Sequence, residues 1–176
     1  MRSLRGTSLP GVKLLTLNAF EDHRGEYLEL YNEAFYKAED VFNIPIDFVE
    51  DDISTATKGM LKGIHGDEHT WKLITCLHGK FYLVVVNYDE ESPAFGKWEG
   101  FTLSDRNKHQ VLVPPKHGNG HVCLSKKSIF YYKQSSYYGA HKQFTIKWNN
   151  PRFKIWWPIK NPILSRRDEC LKINES

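Results

Sequence analysis

The sequence is short of cysteine, of long apolar stretches and of excess charge, and each shortage excludes a class of protein. Its three cysteines, Cys76, Cys123 and Cys170, lie far apart without a CxxC pair, which favours reduced, packed thiols over a disulfide or zinc framework. There is no apolar run of about 18 residues and no signal-peptide core, so we predict a cytoplasmic protein without a membrane partner. A net charge of +3 is too small to indicate a nucleic-acid partner.

What the sequence does contain is a series of short runs rich in aromatic and β-branched residues. Its 176 residues, 14% of them aromatic, are enough for a single domain, residues 1–176, with a continuous core. Strand-like runs of this length, separated by turn residues, are typical of an all-β sandwich or barrel. We expect strands at residues 72–77, 81–88, 99–103, 110–113, 122–124, 128–133 and 144–148, and short helices within 29–40 and 165–171.

Three segments carry polar residues that the core of a β-barrel would not require. They are residues 62–67 (Lys-Gly-Ile-His-Gly-Asp) with Lys72 shortly after, residues 114–121 (Pro-Pro-Lys-His-Gly-Asn-Gly-His) and residues 129–133 (Ile-Phe-Tyr-Tyr-Lys). Taken singly, each has an ordinary explanation, because a histidine beside glycine usually lies in a turn and a tyrosine in a strand usually packs. The functional interpretation depends on their occurring together and in this order.

With their flanking motifs, these segments resemble the dTDP-4-dehydrorhamnose 3,5-epimerases, which are dimeric, metal-free cupins. The resemblance spans residues 10–168 in unbroken order, from Phe-Glu-Asp-His-Arg-Gly-Glu-Tyr-Leu-Glu at 20–29 to Ile-Leu-Ser-Arg-Arg-Asp at 163–168. Between them it includes residues 48–54, 62–65, 91–96, 113–115, 132–133, 148–151 and 157–158. It implies an all-β cupin (jelly-roll) barrel, an epimerase without a cofactor, and a homodimer that exchanges an N-terminal strand segment.

Within this family the chain is similar to a subgroup that acts on GDP-linked 4-keto heptoses in bacterial capsule pathways. The subgroup has a Gly-Ile-His-Gly-Asp stretch with a short link to its lysine, as in residues 63–67 and Lys72 here. It also has Gly-Asn-x-His after the proline turn, as in residues 118–121. The resemblance therefore favours a GDP-4-keto-heptose as the substrate, with a dTDP-4-keto-6-deoxyhexose as the alternative.

The resemblance also implies roles for four residues in the inversion of C3 or C5, or of both. His65 takes the proton from the carbon beside the C4 ketone, and Asp168 pairs with His65 to fix its tautomer. Lys72 faces the enolate oxygen. Tyr132 delivers a proton to the opposite face, because one base alone could only return the proton to the side it came from.

The resemblance suggests substrate contacts as well. Arg24 and Lys62 correspond to diphosphate-binding positions, and Phe20 and Tyr138 to aromatic residues that sandwich the base. Further polar contacts of the cleft are expected from Glu29, Asn119 and His121. Relatives carry Gln and Asn where Glu50 and Asp52 stand, so no role is transferred to these two carboxylates.

Three other interpretations remain open at this stage. Many cupins bind a metal through His-x-His, Glu and a later His, but His65, His69 and His78 lack that spacing, so we predict no metal. A sugar-nucleotide 3,4-ketoisomerase would use the same acidic carbons but would move the carbonyl. A sugar-binding cupin without catalysis would have no reason to retain all four proposed catalytic residues.

Overall fold

The computed structural model describes residues 3–39 and 42–169, and their regular structure is dominated by thirteen β-strands. Two short helices accompany them, α1 (Glu33–Lys37) and α2 (Arg166–Glu169). This confirms the all-β prediction. Within these residues, no helix has the length and apolarity needed to cross a membrane. The strands are β1 (Ser3–Gly6), β2 (Lys13–Thr16), β3 (Ala19–Asp22), β4 (Gly25–Leu28), β5 (Glu50–Thr57), β6 (Leu61–Gly66), β7 (Lys72–His78), β8 (Lys80–Asn87), β9 (Trp98–Ser104), β10 (His109–Val113), β11 (His117–Cys123), β12 (Lys127–Gln134) and β13 (Phe144–Thr145).

Eleven of these strands form two antiparallel sheets. The larger sheet has the order β1-β2-β10-β7-β12-β5, and the smaller has the order β13-β6-β11-β8-β9. Strands β3 and β4 form a separate hairpin. Since β1 pairs with β2 of its own chain, the exchange of an N-terminal segment with a second chain stays a prediction.

Strand β8 explains why one apolar run is continuous instead of alternating. Phe81, Leu83 and Val85 point between the two sheets, into a core shared with strands of the larger sheet. Val84 and Val86 point to the opposite face, where Phe153 and Trp157 of the C-terminal segment cover them. Because both faces of the strand are buried, every position favours an apolar side chain.

A third hydrophobic cluster covers the outer face of the larger sheet. The segment around α1 contributes Tyr36, Phe42 and Ile44, which pack against Leu73 and Leu112. The side chain of Asn32 caps α1 by accepting the backbone N–H of Phe35, and the helix ends at Lys37. Helix α1 thus lies within the predicted 29–40, of which residue 40 lies outside the described residues.

The predicted strands from residue 72 to residue 133 are all present, with bounds that differ by a few residues at most sites. The exception is β11, which begins at His117 instead of 122 because its first half is the polar Gly-Asn-Gly-His stretch. The predicted strand at 144–148 is shortened to two residues. Helix α2 lies within the predicted 165–171, of which residues 170 and 171 lie outside the described residues.

Candidate active site

A cavity of about 380 Å³ lies between the two sheets, beyond one end of their shared core. Eight residues predicted from the sequence line it: His65, Lys72, Tyr132, Asp168, Lys62, Asn119, His121 and Tyr138. The cavity wall also includes six residues that were not predicted as site residues: Ser54, Gly63, Phe130, Gln143, Ser165 and Arg167.

A local irregularity in β6 brings Lys62 and His65 to the same cavity. Residues three apart on a regular strand point to opposite faces. Here Asn119 pairs with His65 while His121 pairs with Lys62, so three steps along β6 oppose two along β11. Such a bulge reverses the alternation and turns both side chains inward. Gly63 lies within it at φ +99°, and a Cβ there would approach the carbonyl oxygen of Asn119 to 2.7 Å, so the position requires glycine.

Lys72 and Tyr132, both of the larger sheet, point into the cavity because side chains alternate between the two faces of a regular strand. Lys72 lies two residues before Ile74, and Tyr132 two residues after Phe130, and both apolar residues belong to the core between the sheets. Lys72 and Tyr132 therefore point to the same inward face as these core residues, but lie beyond the end of the hydrophobic core. Lys72 Nζ lies 5.9 Å from the centre of the Tyr132 ring.

His65 contacts a partner through each ring nitrogen. Its Nε2 lies 3.3 Å from Asp168 Oδ1, and its Nδ1 lies 3.0 Å from the hydroxyl oxygen of Thr145. Within residues 3–39 and 42–169, Asp168 Oδ1 makes no aligned hydrogen bond, so it is a close polar neighbour of His65 Nε2 and not a well-aligned acceptor. Arg167 donates to the same Thr145 hydroxyl at 3.2 Å, which leaves the Thr145 proton free to point at Nδ1.

The surroundings of His65 favour its neutral form. Burial lowers the pKa of His65, and the positive charges of Arg167 and Lys72 lower it further, while Asp168 opposes this shift. A neutral imidazole with Nε2–H towards Asp168 has its lone pair on Nδ1. His65 is therefore in the state required of a proton acceptor near neutral pH.

Lys72 is one of three cationic side chains that line the cavity, with Lys62 and Arg167. Its Nζ donates to Asn119 Oδ1 at 3.3 Å, which joins β7 of the larger sheet to β11 of the smaller one. Burial lowers the pKa of Lys72, and the carboxylates of Asp67 and Asp52 oppose this shift. Asp67 itself accepts the backbone N–H groups of His69 and Thr70, which stabilises its charge. A desolvated ammonium group interacts more strongly with a developing oxyanion than one in water does.

Tyr132 is held in its protonated form. Burial raises the pKa of its hydroxyl above the ordinary value, and the neighbouring carboxylate of Asp52 raises it further. Its neighbour Tyr131 points the other way along β12 and lies near Asp51, and burial raises its pKa to about 12. The chain therefore offers two adjacent tyrosines, of which only Tyr132 is among the residues that line the cavity.

His121 and Lys62 complete the wall contributed by the smaller sheet. The His121 ring stacks on Phe130 with ring centres 4.1 Å apart and planes at 10°. Burial, and then the charge of Lys62, lower the pKa of His121 to about 3. Lys62 Nζ donates to Ser54 Oγ at 2.5 Å and to the carbonyl oxygen of Thr55 at 2.9 Å. Lys62 is thus fixed against β5.

The other three predicted binding residues lie away from this cavity. Phe20 and Arg24 belong to the β3–β4 hairpin and line a separate surface depression, and the side chain of Phe20 is 60% exposed. Arg24 forms an ion pair with Asp22. Glu29 lies near α1, where its carboxylate accepts from Asn32. Their roles in substrate binding stay predictions.

Several residues of the site were missed by the sequence analysis, and some of them gave a usable signal. Arg167 stands directly before Asp168 in the motif at 163–168. A cation next to a proposed catalytic carboxylate could have indicated that Arg167 belongs to the site. Thr145, in the two-residue β13, gave none, because its role depends on pairing with His65 across the sheet. Among the described residues, no three His, Cys, Asp or Glu side chains are arranged to bind a metal ion.

Comparison with known proteins identifies the family. The profile of the dTDP-4-dehydrorhamnose 3,5-epimerases matches residues 6–175. The Escherichia coli K12 enzyme named dTDP-4-dehydrorhamnose 3,5-epimerase is 36% identical over 169 residues, which cover 94% of this chain and 90% of that one.

Solved structures agree with the sequence comparison. The dTDP-6-deoxy-D-glucose-3,5-epimerase of Legionella pneumophila, in complex with dTDP-4-keto-L-rhamnose, has a TM-score of 0.89 and 30% identity, covering 96% of this chain and 90% of that one. ChmJ, a 3′-monoepimerase of Streptomyces bikiniensis, in complex with dTDP-quinovose, has a TM-score of 0.85 and 25% identity, covering 93% and 83%. The predicted cupin fold is therefore confirmed. The chain belongs to the dTDP-4-dehydrorhamnose 3,5-epimerase family, whose enzymes are carbohydrate epimerases.

Proposed function

We propose that the protein inverts C3 and C5 of a dTDP-linked 4-keto-6-deoxyhexose. The observation that carries this proposal is that His65 and Tyr132 face one cavity from opposite sheets. Inversion at carbon requires a base on one face and an acid on the other, which is the arrangement that two facing sheets can supply.

The first step is removal of a proton from the carbon beside the C4 ketone. Neutral His65 accepts this proton on Nδ1, where the substrate C–H replaces the Thr145 hydroxyl. The electron pair of the C–H bond moves into a C=C bond, and the carbonyl oxygen becomes an enolate oxygen. The imidazolium that forms is stabilised by Asp168, which lies 3.3 Å from Nε2.

The enolate must be stabilised for this step to be fast, because a proton beside a ketone is a much weaker acid than imidazolium. Lys72 is the group we assign to this role, as a partly buried ammonium group that lines the cavity. Stabilisation of a developing oxyanion is commonly the largest contribution to such catalysis. Asn119, which accepts from Lys72, keeps the ammonium pointing across the cavity.

The second step adds a proton to the opposite face of the same carbon. Tyr132 donates its hydroxyl proton, the C=C electron pair forms the new C–H bond, and the C4 ketone is restored. His65 releases its proton to solvent, so the product is an isomer of the substrate. The same two residues can act at C3 and at C5 if the sugar is bound with each carbon in turn between them.

The relatives support a dTDP sugar as the substrate more strongly than the motifs support a GDP sugar. The subgroup resemblance favoured a GDP-linked heptose, but the named enzymes and complexes that match this chain concern dTDP sugars. They support a dTDP-4-keto-6-deoxyhexose as the substrate better than the GDP-4-keto-heptose that we expected first. The role in a capsule pathway stays a prediction. Relatives named 3-epimerase also match, so the number of inverted centres has to be measured on the product.

A homodimer is part of the proposal. The β3–β4 hairpin exposes large aromatic side chains, with Phe20 at 60% and Tyr27 at 68%. A second chain that covered this hairpin would remove apolar surface from water. Light scattering at micromolar concentration should give twice the chain mass, and a monomer would refute the dimer.

A cytoplasmic location is supported by the free thiols of Cys76 and Cys123.

The experiment is incubation with a dTDP-4-keto-6-deoxyhexose, and separately with a GDP-4-keto-heptose, in deuterated water with detection by NMR. We expect deuterium and inverted configuration at C3 and C5 with the ketone still at C4. A ketone that moves to C3 would indicate a 3,4-ketoisomerase, and binding without exchange would indicate a sugar-binding protein.

Two pairs of variants test the assigned residues. His65→Asn should lower exchange by roughly 10²–10⁴-fold, while His78→Asn, at an exposed histidine, should not. Tyr132→Phe should abolish most inversion but leave exchange with retention, because His65 can return a deuteron to the original face. Tyr131→Phe is the matched control. Equal effects within either pair would contradict the assignment.

A further inference from the structure

The C-terminal segment is tied to the strand that carries His65. Ile163 forms a bridge with Met60, and its carbonyl oxygen accepts the backbone N–H of Leu61, the first residue of β6, at 2.9 Å. The backbone N–H of Ile163 donates to the carbonyl oxygen of Gly59 at 2.9 Å. The residues that follow Ile163 therefore start from a point that is fixed relative to His65.

Ser165 and Asp168, which follow this point, hold each other through two hydrogen bonds. The Ser165 hydroxyl donates to Asp168 Oδ2 at 2.9 Å and accepts the backbone N–H of Asp168 at 3.2 Å. A serine hydroxyl has one proton, so its donor is committed to this carboxylate. Acceptance of the N–H three residues later is typical of a residue that caps a helix, and α2 begins at Arg166. The serine thus fixes both the backbone and the carboxylate of Asp168.

The other oxygen of the Asp168 carboxylate is left for His65. Asp168 is 3% exposed, and in the described part of the chain its Oδ1 makes no aligned hydrogen bond. His65 Nε2 lies 3.3 Å from this oxygen. A buried oxygen without a donor is unfavourable, but rotation of the carboxylate towards another partner would break the bond from Ser165. The arrangement therefore keeps Oδ1 beside Nε2 until His65 becomes charged, when a charge-assisted hydrogen bond is favoured.

We propose that Ser165 is a positioning residue for the base, because it holds Asp168 so that Oδ1 faces His65 Nε2 when the imidazolium forms. Ser165 lies in the cavity wall, but in this role it acts through Asp168 and not through contact with the sugar. Its hydroxyl keeps its proton throughout, so the two steps of inversion are unchanged. The inference rests on the proposed function, in which His65 takes the proton from the sugar.

The charged groups around His65 determine how a change at Ser165 affects its protonation. Burial lowers the pKa of His65, the charges of Arg167 and Lys72 lower it further, and Asp168 opposes this shift. Of these three groups, Asp168 is the one to which Ser165 donates. Loss of the Ser165 hydroxyl should therefore weaken the contribution of Asp168 and lower the pKa of His65.

The activity test is a double-mutant cycle between Ser165 and Asp168. Ser165→Ala should lower the rate of deuterium exchange into the sugar by about three- to tenfold, the factor that corresponds to one hydrogen bond, with KM nearly unchanged. Ser165→Thr, which keeps the hydroxyl, should restore the rate, and Arg166→Gln, at the exposed position next to Ser165, is the control. In an Asp168→Asn background, Ser165→Ala should have little effect, because the carboxylate through which Ser165 acts is absent.

Three results of this cycle would overturn the proposal. Equal losses in both backgrounds would mean that Ser165 only stabilises α2. A raised KM with an unchanged rate would mean that Ser165 contacts the substrate directly. A wild-type rate in Ser165→Ala would mean that Asp168 is held without the serine.

A substrate-free measurement separates failure of the positioning role from failure of the proposed function. In NMR titrations of the histidine ring signals, His65 should titrate at lower pH in Ser165→Ala than in the wild type, Ser165→Thr and Arg166→Gln. If His65 titrates alike in all of these proteins, Ser165 does not act on it, whatever the enzyme inverts. If the titration shifts as expected but no 4-keto sugar is inverted, the proposed function is wrong, and the catalytic role of Ser165 is wrong with it.

Discussion

The burial of His121 predicts a specific loss of stability in acid. In the folded protein its ring is stacked on Phe130, only 4% exposed, and its pKa is lowered from 6.5 to about 3. In the unfolded chain the same imidazole takes up a proton below its ordinary pKa. Between these two values the unfolded state binds more protons, so the free energy of unfolding falls as pH falls.

The size of the effect follows from the two pKa values. Each pH unit below 6.5 reduces the stability by about 1.4 kcal/mol for one proton, so His121 accounts for about 2 kcal/mol between pH 7 and pH 5. His121→Phe keeps the stacking partner but cannot titrate. We therefore expect its urea unfolding free energy to fall by about 2 kcal/mol less than the wild type over this range.

The comparison has to allow for other histidines. Burial also lowers the pKa of His65, His109 and His117, so the variant should still lose some stability in acid. His23→Asn, at an exposed position, is the control and should follow the wild type. If the wild type and His121→Phe lose the same free energy from pH 7 to pH 5, the assignment of a neutral, buried His121 is wrong.

Three further predictions test the cation, the sheet contact and the absence of a metal requirement. Lys72→Met keeps most of the side-chain length but removes the charge, so we expect the turnover rate to fall by roughly 10²–10³-fold with a smaller change in KM. A near wild-type rate would exclude Lys72 as the oxyanion partner. Gly66→Ala would bring a Cβ to 2.4 Å from the carbonyl oxygen of His117, so thermal unfolding should show a loss of about 2–4 kcal/mol, whereas Gly6→Ala, with open space around it, should change little. Activity should survive exhaustive chelation with EDTA, and a loss restored by a divalent ion would contradict the enolate assignment to Lys72.

The sequence predicted the second half of the fold better than the first, for a physical reason. Strand β8 is buried on both faces, and its continuous apolar run was recognisable. Strand β5 reads Glu-Asp-Asp-Ile-Ser-Thr-Ala-Thr, with polar residues on both faces. On its inward face Ser54 lines the cavity and Glu50 and Asp52 are only partly buried, while Asp51 and Ile53 on its outward face are exposed. The apolar-polar alternation that predicts a strand is therefore missing.

The candidate site was predicted as a set of residues but not as a geometry. Motif order was sufficient to select His65, Lys72, Tyr132 and Asp168, which line one cavity. The contact of Asp52 with Tyr132 depends on the register of β5 against β12. Register is determined by tertiary packing, and residues 80 positions apart carry no local signal for it.

The position of β5 has a consequence for how enzymes of this kind can diversify. Glu50, Asp52 and Ser54 reach the cavity side at alternate positions of one strand, and none of them belongs to the three hydrophobic clusters. A substitution at these positions should change the surroundings of Tyr132 and Lys72 without removing a side chain from the three hydrophobic clusters. Selection can therefore vary the reaction outcome along a single strand while folding stability is conserved by residues elsewhere.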